Sequence, residues 1–180
     1  ESVYDYPYAS SSANHIFDLT FGYASGSGLS GSSYTDHTKK IQVYNQMAQV
    51  LAGFDTDKKV RVFDEDGQLG GGAKLRNCLF VNFSRLLVKD EIKKGSFSLQ
   101  YFASGTYASP STVITLQDTN AQNEYRVNSP AGEYGILYKS GASDPFGLIY
   151  YQAGIAVLPI ATSSTAGAQG STNQLFGPTA

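Results

Sequence analysis

The sequence is poor in the residues that most often carry chemistry or form cross-links. Its 180 residues include one cysteine, two histidines and no tryptophan. The single cysteine, Cys78, excludes an intrachain disulfide and a cysteine metal cluster. It lies in the apolar run C-L-F-V, which predicts a buried and inert thiol. No apolar run approaches the roughly 18 residues of a membrane-spanning helix, so no membrane contact is predicted.

Charge is also scarce. Asp, Glu, Lys and Arg make up 16% of the chain, against about 25% in an average domain. The net charge is -2 and the basic residues are scattered, so no positive field attracts nucleic acid and no nucleic-acid partner is predicted. The chain is instead rich in Tyr, Phe, Gly and small polar residues, a composition that favours β-sheets and wide, weakly charged contact surfaces.

One segment has the period of an amphipathic helix. Asp36 is the predicted N-cap, and Gly53 stands where a left-handed C-cap would lie. The apolar stripe between them consists of Ile41, Tyr44, Ala48 and Leu51. The spacing predicts one helix packed on a sheet.

Most of the remaining chain shows strand patterns. In the first, Phe17, Leu19, Phe21 and Tyr23 alternate with polar or small residues, which predicts a strand with one buried side. The run S-G-A-S-D-P is a predicted hairpin connection. Further strands are predicted over residues 60–63, 75–85, 96–102, 112–116, 124–127, 134–139 and 147–158. The fold class is therefore mainly β: an antiparallel β-sandwich or barrel-like domain with one amphipathic helix.

Three regions are predicted along the chain. Residues 1–14 form an extended N-terminal arm, for which a frayed terminus is the alternative. Residues 15–158 form a single β-rich domain. Residues 159–180 are small and polar and are predicted to be a low-complexity tail or linker. The chain begins with Glu1 and lacks a signal-peptide pattern, so it is expected to be processed or part of a longer polypeptide.

The stretch F-D-E-D-G-Q-L-G-G-G-A-K partly matches two known loops. No register places acids, glycine and the closing glutamate where a calcium-binding EF-hand loop needs them. Gly67 and Gly72 have phosphate-loop spacing, but Lys74 comes one residue late and Leu75 replaces the required hydroxyl. The stretch is therefore predicted to be a flexible turn between two strands.

Other catalytic patterns are incomplete. The nearest match to a serine elbow, G-L-S-G-S, lacks the last glycine and lies in a Gly/Ser loop. His15 and His37 have no spaced carboxylate partner, and His37 is expected to be exposed in the first turn of the helix. The acid pairs Asp64/Asp66 and Asp90/Glu91 are neighbours in turns, so they predict no cleft chemistry. The prediction is a chain that is not an enzyme and that needs no cofactor or metal.

Two groups of residues are predicted to contact other proteins. Tyrosine offers a large contact area and a hydrogen-bonding tip at small entropic cost. The arm contributes Tyr4, Tyr6 and Tyr8. A charged edge that sets register is predicted at Lys89, Asp90, Glu91, Lys93 and Lys94, for which a solvated turn is the alternative.

Five blocks of the sequence resemble virion structural proteins of T4-like tailed phages of marine cyanobacteria (cyanophages). They are N-H-I-F-D-L-T-F-G-Y, I-Q-V-Y-N-Q-M-A-Q-V-L-A-G, F-V-N-F-S-R-L-L-V-K-D-E-I-K-K-G-S-F-S-L, and N-S-P-A-G-E-Y-G-I-L-Y with G-L-I-Y-Y-Q-A-G-I-A-V-L. The resemblance covers residues 1 to 158 in matching order. It implies a component of the phage particle without enzymatic activity, often part of a longer chain, and it supplies no catalytic residues.

Two functional hypotheses follow. The first is a structural subunit located in the virion, with copies of itself and other virion proteins as partners and a homo-oligomeric state. The second is a β-sandwich recognition module, at a fibre or decoration position, that binds host-surface glycans through exposed aromatics in loops such as Tyr107 and Phe146.

Overall fold

A computed structural model describes residues 1–5, 13–27, 29, 37–84, 89–106 and 109–160, with the backbone alone described for 102–106 and 109–112. These residues contain one helix, α1 (His37–Leu51), and ten strands. The strands are β1 (Ser2–Asp5), β2 (Asn14–Tyr23), β3 (Phe63–Asp64), β4 (Lys74–Leu75), β5 (Asn77–Phe83), β6 (Ser98–Thr106), β7 (Ser109–Gln117), β8 (Tyr134–Lys139), β9 (Pro145–Tyr150) and β10 (Ile155–Pro159).

Eight of the strands form one curled antiparallel sheet. Its strand order is β1-β2-β5-β10-β9-β8-β7-β6, and β3 pairs with β4 in a separate two-stranded sheet. Every strand pair is antiparallel. The predicted fold class, a mainly β, antiparallel, sandwich or barrel-like domain with one amphipathic helix, is confirmed.

Helix α1 lies against one face of the sheet. The buried side chains of its predicted stripe are Tyr44, Ala48 and Leu51. Gly22 of β2 allows the close approach, since a Cβ atom there would lie 2.8 Å from the backbone nitrogen of Tyr44. The helix ends at the predicted C-cap. Gly53 there has a φ of 79°, which residues other than glycine rarely adopt. Asp36, the predicted N-cap, lies outside the described residues.

The core has two parts, one on each face of the sheet. Strand β5 contributes to both because its side chains alternate: Cys78 and Phe80 pack on the helix side, while Val81 and Phe83 pack on the other. The central strands are therefore buried on both faces. The second face has no helix over it among the described residues.

The strand predictions were right in type more often than in boundary. Residues 134–139 form β8 as predicted, and β8 and β9 form the predicted hairpin pair. The run 147–158 is two strands rather than one, because a turn ending at Gly154, with a φ of 66°, separates β9 from β10. The predicted strand 124–127 is wrong: only a single bridge, from Arg126 to Tyr134, forms there.

The described part of the predicted arm belongs to the sheet. Ser2–Asp5 is extended, as predicted, and pairs with β2 of the same chain as an edge strand. Strand β2 begins at Asn14, one residue before the predicted boundary, and β10 ends at Pro159, one residue after the other boundary. Residues 161–180 of the predicted tail lie outside the described residues.

Candidate functional site

The N-terminal candidate surface is anchored on β2. Tyr4 is 50% exposed, and its ring centroid lies 5.4 Å from that of His15. Asp18 accepts hydrogen bonds from the Ser2 hydroxyl at 2.5 Å and from Nε2 of His15 at 3.0 Å. The prediction that His15 has no carboxylate partner is therefore wrong. Those two hydrogen bonds, Ser2 first, lower the pKa of the Asp18 carboxyl. Tyr4 is therefore held on the sheet with half of its surface open to contact.

The arm has two further predicted contact tyrosines. Tyr6 and Tyr8 lie outside the described residues, so their contribution to an interface stays a prediction.

The predicted charged block is a turn fixed at two points. The backbone N–H of Ile92 donates to the carbonyl of Tyr151 at 3.0 Å. Lys94 forms an ion pair with Glu133, and its Nζ lies 3.9 Å from the ring centroid of Tyr125. Lys94 is thus engaged within its own chain. The exposed members of the block are Lys89, Asp90, Glu91 and Lys93.

The two predicted groups stand at opposite ends of the strand order. Tyr4 lies on β1, the first strand, whereas the charged block precedes β6, the last. They are consequently described as two surfaces rather than as one site.

Sequence reasoning missed a third surface, the hairpin of β6 and β7. Its strands pair from Ser98–Gln117 to Thr106–Ser109, but β7 pairs with β8 only at Leu116 and Gln117. Most of β7 therefore has no second strand partner among the described residues. A signal was present in the sequence, because residues 95–117 contain no Asp, Glu, Lys or Arg.

A buried carboxylate ties the base of this hairpin together. Asp118 is 1% exposed and accepts backbone N–H bonds from Gly95 at 2.7 Å and Phe97 at 3.0 Å. The Tyr151 hydroxyl donates to the same carboxylate at 3.3 Å. Burial raises the pKa of Asp118 above its ordinary value, against the opposing effect of these hydrogen bonds. The residues before β6 and after β7 are thereby held to each other and to the core.

The glycine-rich stretch that resembled two ligand loops is a turn between β3 and β4, as predicted. Lys74 forms an ion pair with Asp64 across the strand pair. Asp64 and Asp66 accept backbone N–H bonds from Asp66 at 3.2 Å and Gln68 at 2.9 Å, which close the turn. Burial raises the pKa of Asp64, whereas the hydrogen bond between the two carboxyl groups lowers that of Asp66.

A small cavity lies beside this turn. Its volume is about 10 Å³, which is room for about one water. Tyr134 lines it and donates from its hydroxyl to Asn128 at 2.6 Å. Within the described ranges, no three His, Cys, Asp or Glu side chains are grouped so as to hold a metal ion.

The isolated candidate side chains have structural partners. His37 is partly buried, and Nδ1 lies 3.0 Å from the Tyr23 hydroxyl, so the prediction of an exposed His37 is wrong. Cys78 is fully buried, as predicted, and burial raises the pKa of its thiol well above its ordinary value. A thiolate, the reactive form, is therefore disfavoured at Cys78.

The aromatics named for glycan binding give no support to that hypothesis. Phe146 is fully buried on β9, with Nζ of Lys139 4.8 Å from its ring centroid. The expectation that Phe146 is exposed in a loop is wrong, because the strand begins at Pro145 and turns this ring into the core. Tyr107 lies outside the described residues.

Comparisons with protein-family models, with curated proteins and with solved structures found no match to this chain. No helix within the described parts of the chain is long and apolar enough to cross a membrane.

Proposed function

We propose that this chain is a non-enzymatic structural component of a tailed-phage particle. It assembles there through repeated interfaces, and its partners are copies of itself and other virion proteins. The phage assignment and the absence of activity rest on the five sequence blocks quoted above. The contact role rests on the shape of the sheet.

One observation carries the contact role: within the described parts of the chain, both terminal strands of the sheet have an unpaired outer edge. The terminal strands, β1 and β6, each have one strand neighbour among the described residues. A free strand edge presents backbone donors and acceptors that pair readily with another chain. Such edges suit subunits that join into larger assemblies.

The sheet face opposite the helix also supports a contact role. Eight apolar side chains there are only partly buried although they pack against the core: Phe17, Leu19, Leu79, Phe83, Ile92, Leu99, Tyr101 and Ile114. Burying apolar surface contributes roughly 25 cal/mol per Å². Covering this face in an assembly would therefore stabilise both the contact and the fold.

The first test is the solution mass of the full chain by light scattering over a series of concentrations. We expect a discrete oligomer or a regular polymer. Replacing Tyr4, Tyr6 and Tyr8 by Ser should weaken it if the arm is the contact, whereas Phe54→Ser, at a residue that is 53% exposed and belongs to neither predicted group, should not. This triple substitution keeps β1 in place, which a deletion of the arm would remove.

The location is tested separately. Mass spectrometry of purified particles encoded by the same genome should detect the chain at a fixed copy ratio to the other particle proteins. Its absence from washed particles would overturn the virion assignment, whatever the solution mass.

A further inference from the structure

The pairing register shows which backbone groups of β6 point outward, away from β7. The Ser140 N–H donates to the Thr115 carbonyl at 2.8 Å, so the backbone of Thr115 faces β8. Gln100 lies opposite Thr115 in the β6–β7 pair. Opposite residues in antiparallel strands alternate between bonded and non-bonded pairs. Gln100 is therefore in a non-bonded pair, and its N–H and C=O point away from β7.

The same alternation applies to the residues two positions away. Ser98 and Phe102 also direct their backbone groups toward the free edge, up to the irregularity that follows Phe102. No strand among the described residues pairs with that edge. Three residues thus present an ordered row of donors and acceptors.

This edge lacks the protection that natural edge strands usually carry. Charged side chains, most often lysine, block edge-to-edge pairing, yet residues 95–117 carry no charge. The other terminal strand differs, since β1 contains Asp5 and follows Glu1. Two copies of β1 placed side by side would bring like charges together, whereas two copies of β6 would not.

We propose that β6 is a dimerisation edge. It pairs antiparallel with β6 of a second copy about a two-fold axis near Gln100, joining two eight-stranded sheets into one. A two-fold axis makes the same surface meet itself, which an uncharged strand allows and an acidic one opposes. The inference rests on the proposed assembly role and names one of its interfaces.

Hydrogen bonds at the base of the hairpin order the β6 edge before a second copy binds. Asp118 fixes the backbone at Gly95 and Phe97, directly before β6 begins. Ordering a flexible strand on binding costs free energy, and a strand held in advance avoids part of that cost. The edge nearest to this clamp, from Ser98 to Phe102, is the part expected to pair.

The decisive variant is Gln100→Pro. Proline removes the outward N–H without removing a β6–β7 hydrogen bond, and edge strands tolerate it at such positions. By symmetry each dimer loses this donor from both copies, so we expect the dissociation constant to rise at least about tenfold. Gln100→Thr is the matched control, since it retains the N–H and should leave dimerisation unchanged. Sedimentation velocity measures both, and circular dichroism checks that each variant folds.

A cross-link gives an independent positive test. Residues in a bonded antiparallel pair have Cα atoms about 5.5 Å apart, within the range that a disulfide spans. Gln100 is exposed and Cys78 is fully buried, so Gln100→Cys should form a covalent dimer under mild oxidation. Val50→Cys, at a residue of α1 that is 61% exposed, should form no covalent dimer under the same dilute conditions.

The outcomes separate the inference from the function on which it rests. Oligomers that persist in Gln100→Pro and fail to cross-link through Gln100→Cys would overturn the β6 interface while leaving assembly in place. A wild-type chain that stays monomeric up to high concentration would overturn self-assembly and the β6 dimer together. Loss of the dimer in Gln100→Thr as well as in Gln100→Pro would also contradict the backbone pairing argued here.

Discussion

The two faces of the eight-stranded sheet are covered to different extents. On the helix side, Tyr44, Phe63 and Phe80 meet with ring centroids 5.5 to 6.3 Å apart, and each is at most 1% exposed. On the other side, Phe83 meets Phe17 at 6.0 Å and Phe97 at 5.8 Å, but Phe17 and Phe83 are only partly buried. The same strand, β5, supplies one ring to each cluster.

At these aromatic clusters, the helix side is fully buried, whereas the other side leaves two rings partly exposed and therefore available for contact. The helix face has a close-packed layer in which a lost methylene leaves a void. The opposite face buries enough apolar surface to hold the curl of the sheet, but several of its side chains still reach the surface. Mutations on the first face should therefore report on stability, and mutations on the second should report on assembly as well.

Truncating one ring on each face should give the largest contrast. Phe80→Ala removes a fully buried ring and should lower the free energy of unfolding by about 3–5 kcal/mol. Phe83→Ala removes a partly buried ring of the same strand and should cost about 1–2 kcal/mol, because less surface returns to water. Urea denaturation of both variants measures the two losses of unfolding free energy. Equal losses would contradict the unequal covering of the two faces.

The close contact between β2 and α1 sharpens the comparison further. In Gly22→Ala the added Cβ would lie 2.8 Å from the Tyr44 nitrogen and 3.0 Å from the Lys40 carbonyl oxygen. Both are helix backbone atoms, so the helix must move, at a cost of about 1–3 kcal/mol. Thr20→Ala, two residues earlier on the same side of β2 and only partly buried, is the control and should change stability little. A neutral Gly22→Ala would mean that the helix shifts freely on the sheet.

The sequence predicted the packing of the helix on the sheet better than the order of the strands within the sheet. The period of Tyr44, Ala48 and Leu51 marks a helix with one apolar stripe, and a stripe of that kind needs a sheet beneath it. Pairing between distant strands leaves no comparable local signal. That β1 pairs with β2, or that β6 ends the sheet, depends on contacts between strands that periodicity does not record.

Single residues show the same limit at the candidate surfaces. Phe146 follows Pro145 and a turn-rich run, which favours a loop, yet tertiary packing places its ring fully inside the core. Lys94 belongs to a charged run, yet Glu133, distant in sequence, binds it. The free edge at Gln100 follows from one long-range hydrogen bond, from Ser140 to Thr115, and no pattern within β6 encodes it.

The smallest expected effect is a pH dependence of the folding stability, which arises at the base of the β6–β7 hairpin. Burial raises the pKa of Asp118 in the folded chain, so the native state holds this proton more tightly than the unfolded chain does. Its stabilising contribution is then complete below the ordinary carboxyl pKa of about 4 and is lost as the pH rises through the higher, folded value. Asp118→Asn keeps one acceptor oxygen and does not titrate. It should be less stable than the wild type at low pH, because its amide nitrogen faces an N–H donor, and the deficit should narrow as the pH rises. Urea midpoints of the two proteins across that pH range measure the difference. A deficit that widens with pH would show that the Gly95 and Phe97 hydrogen bonds to the ionised carboxylate outweigh its burial.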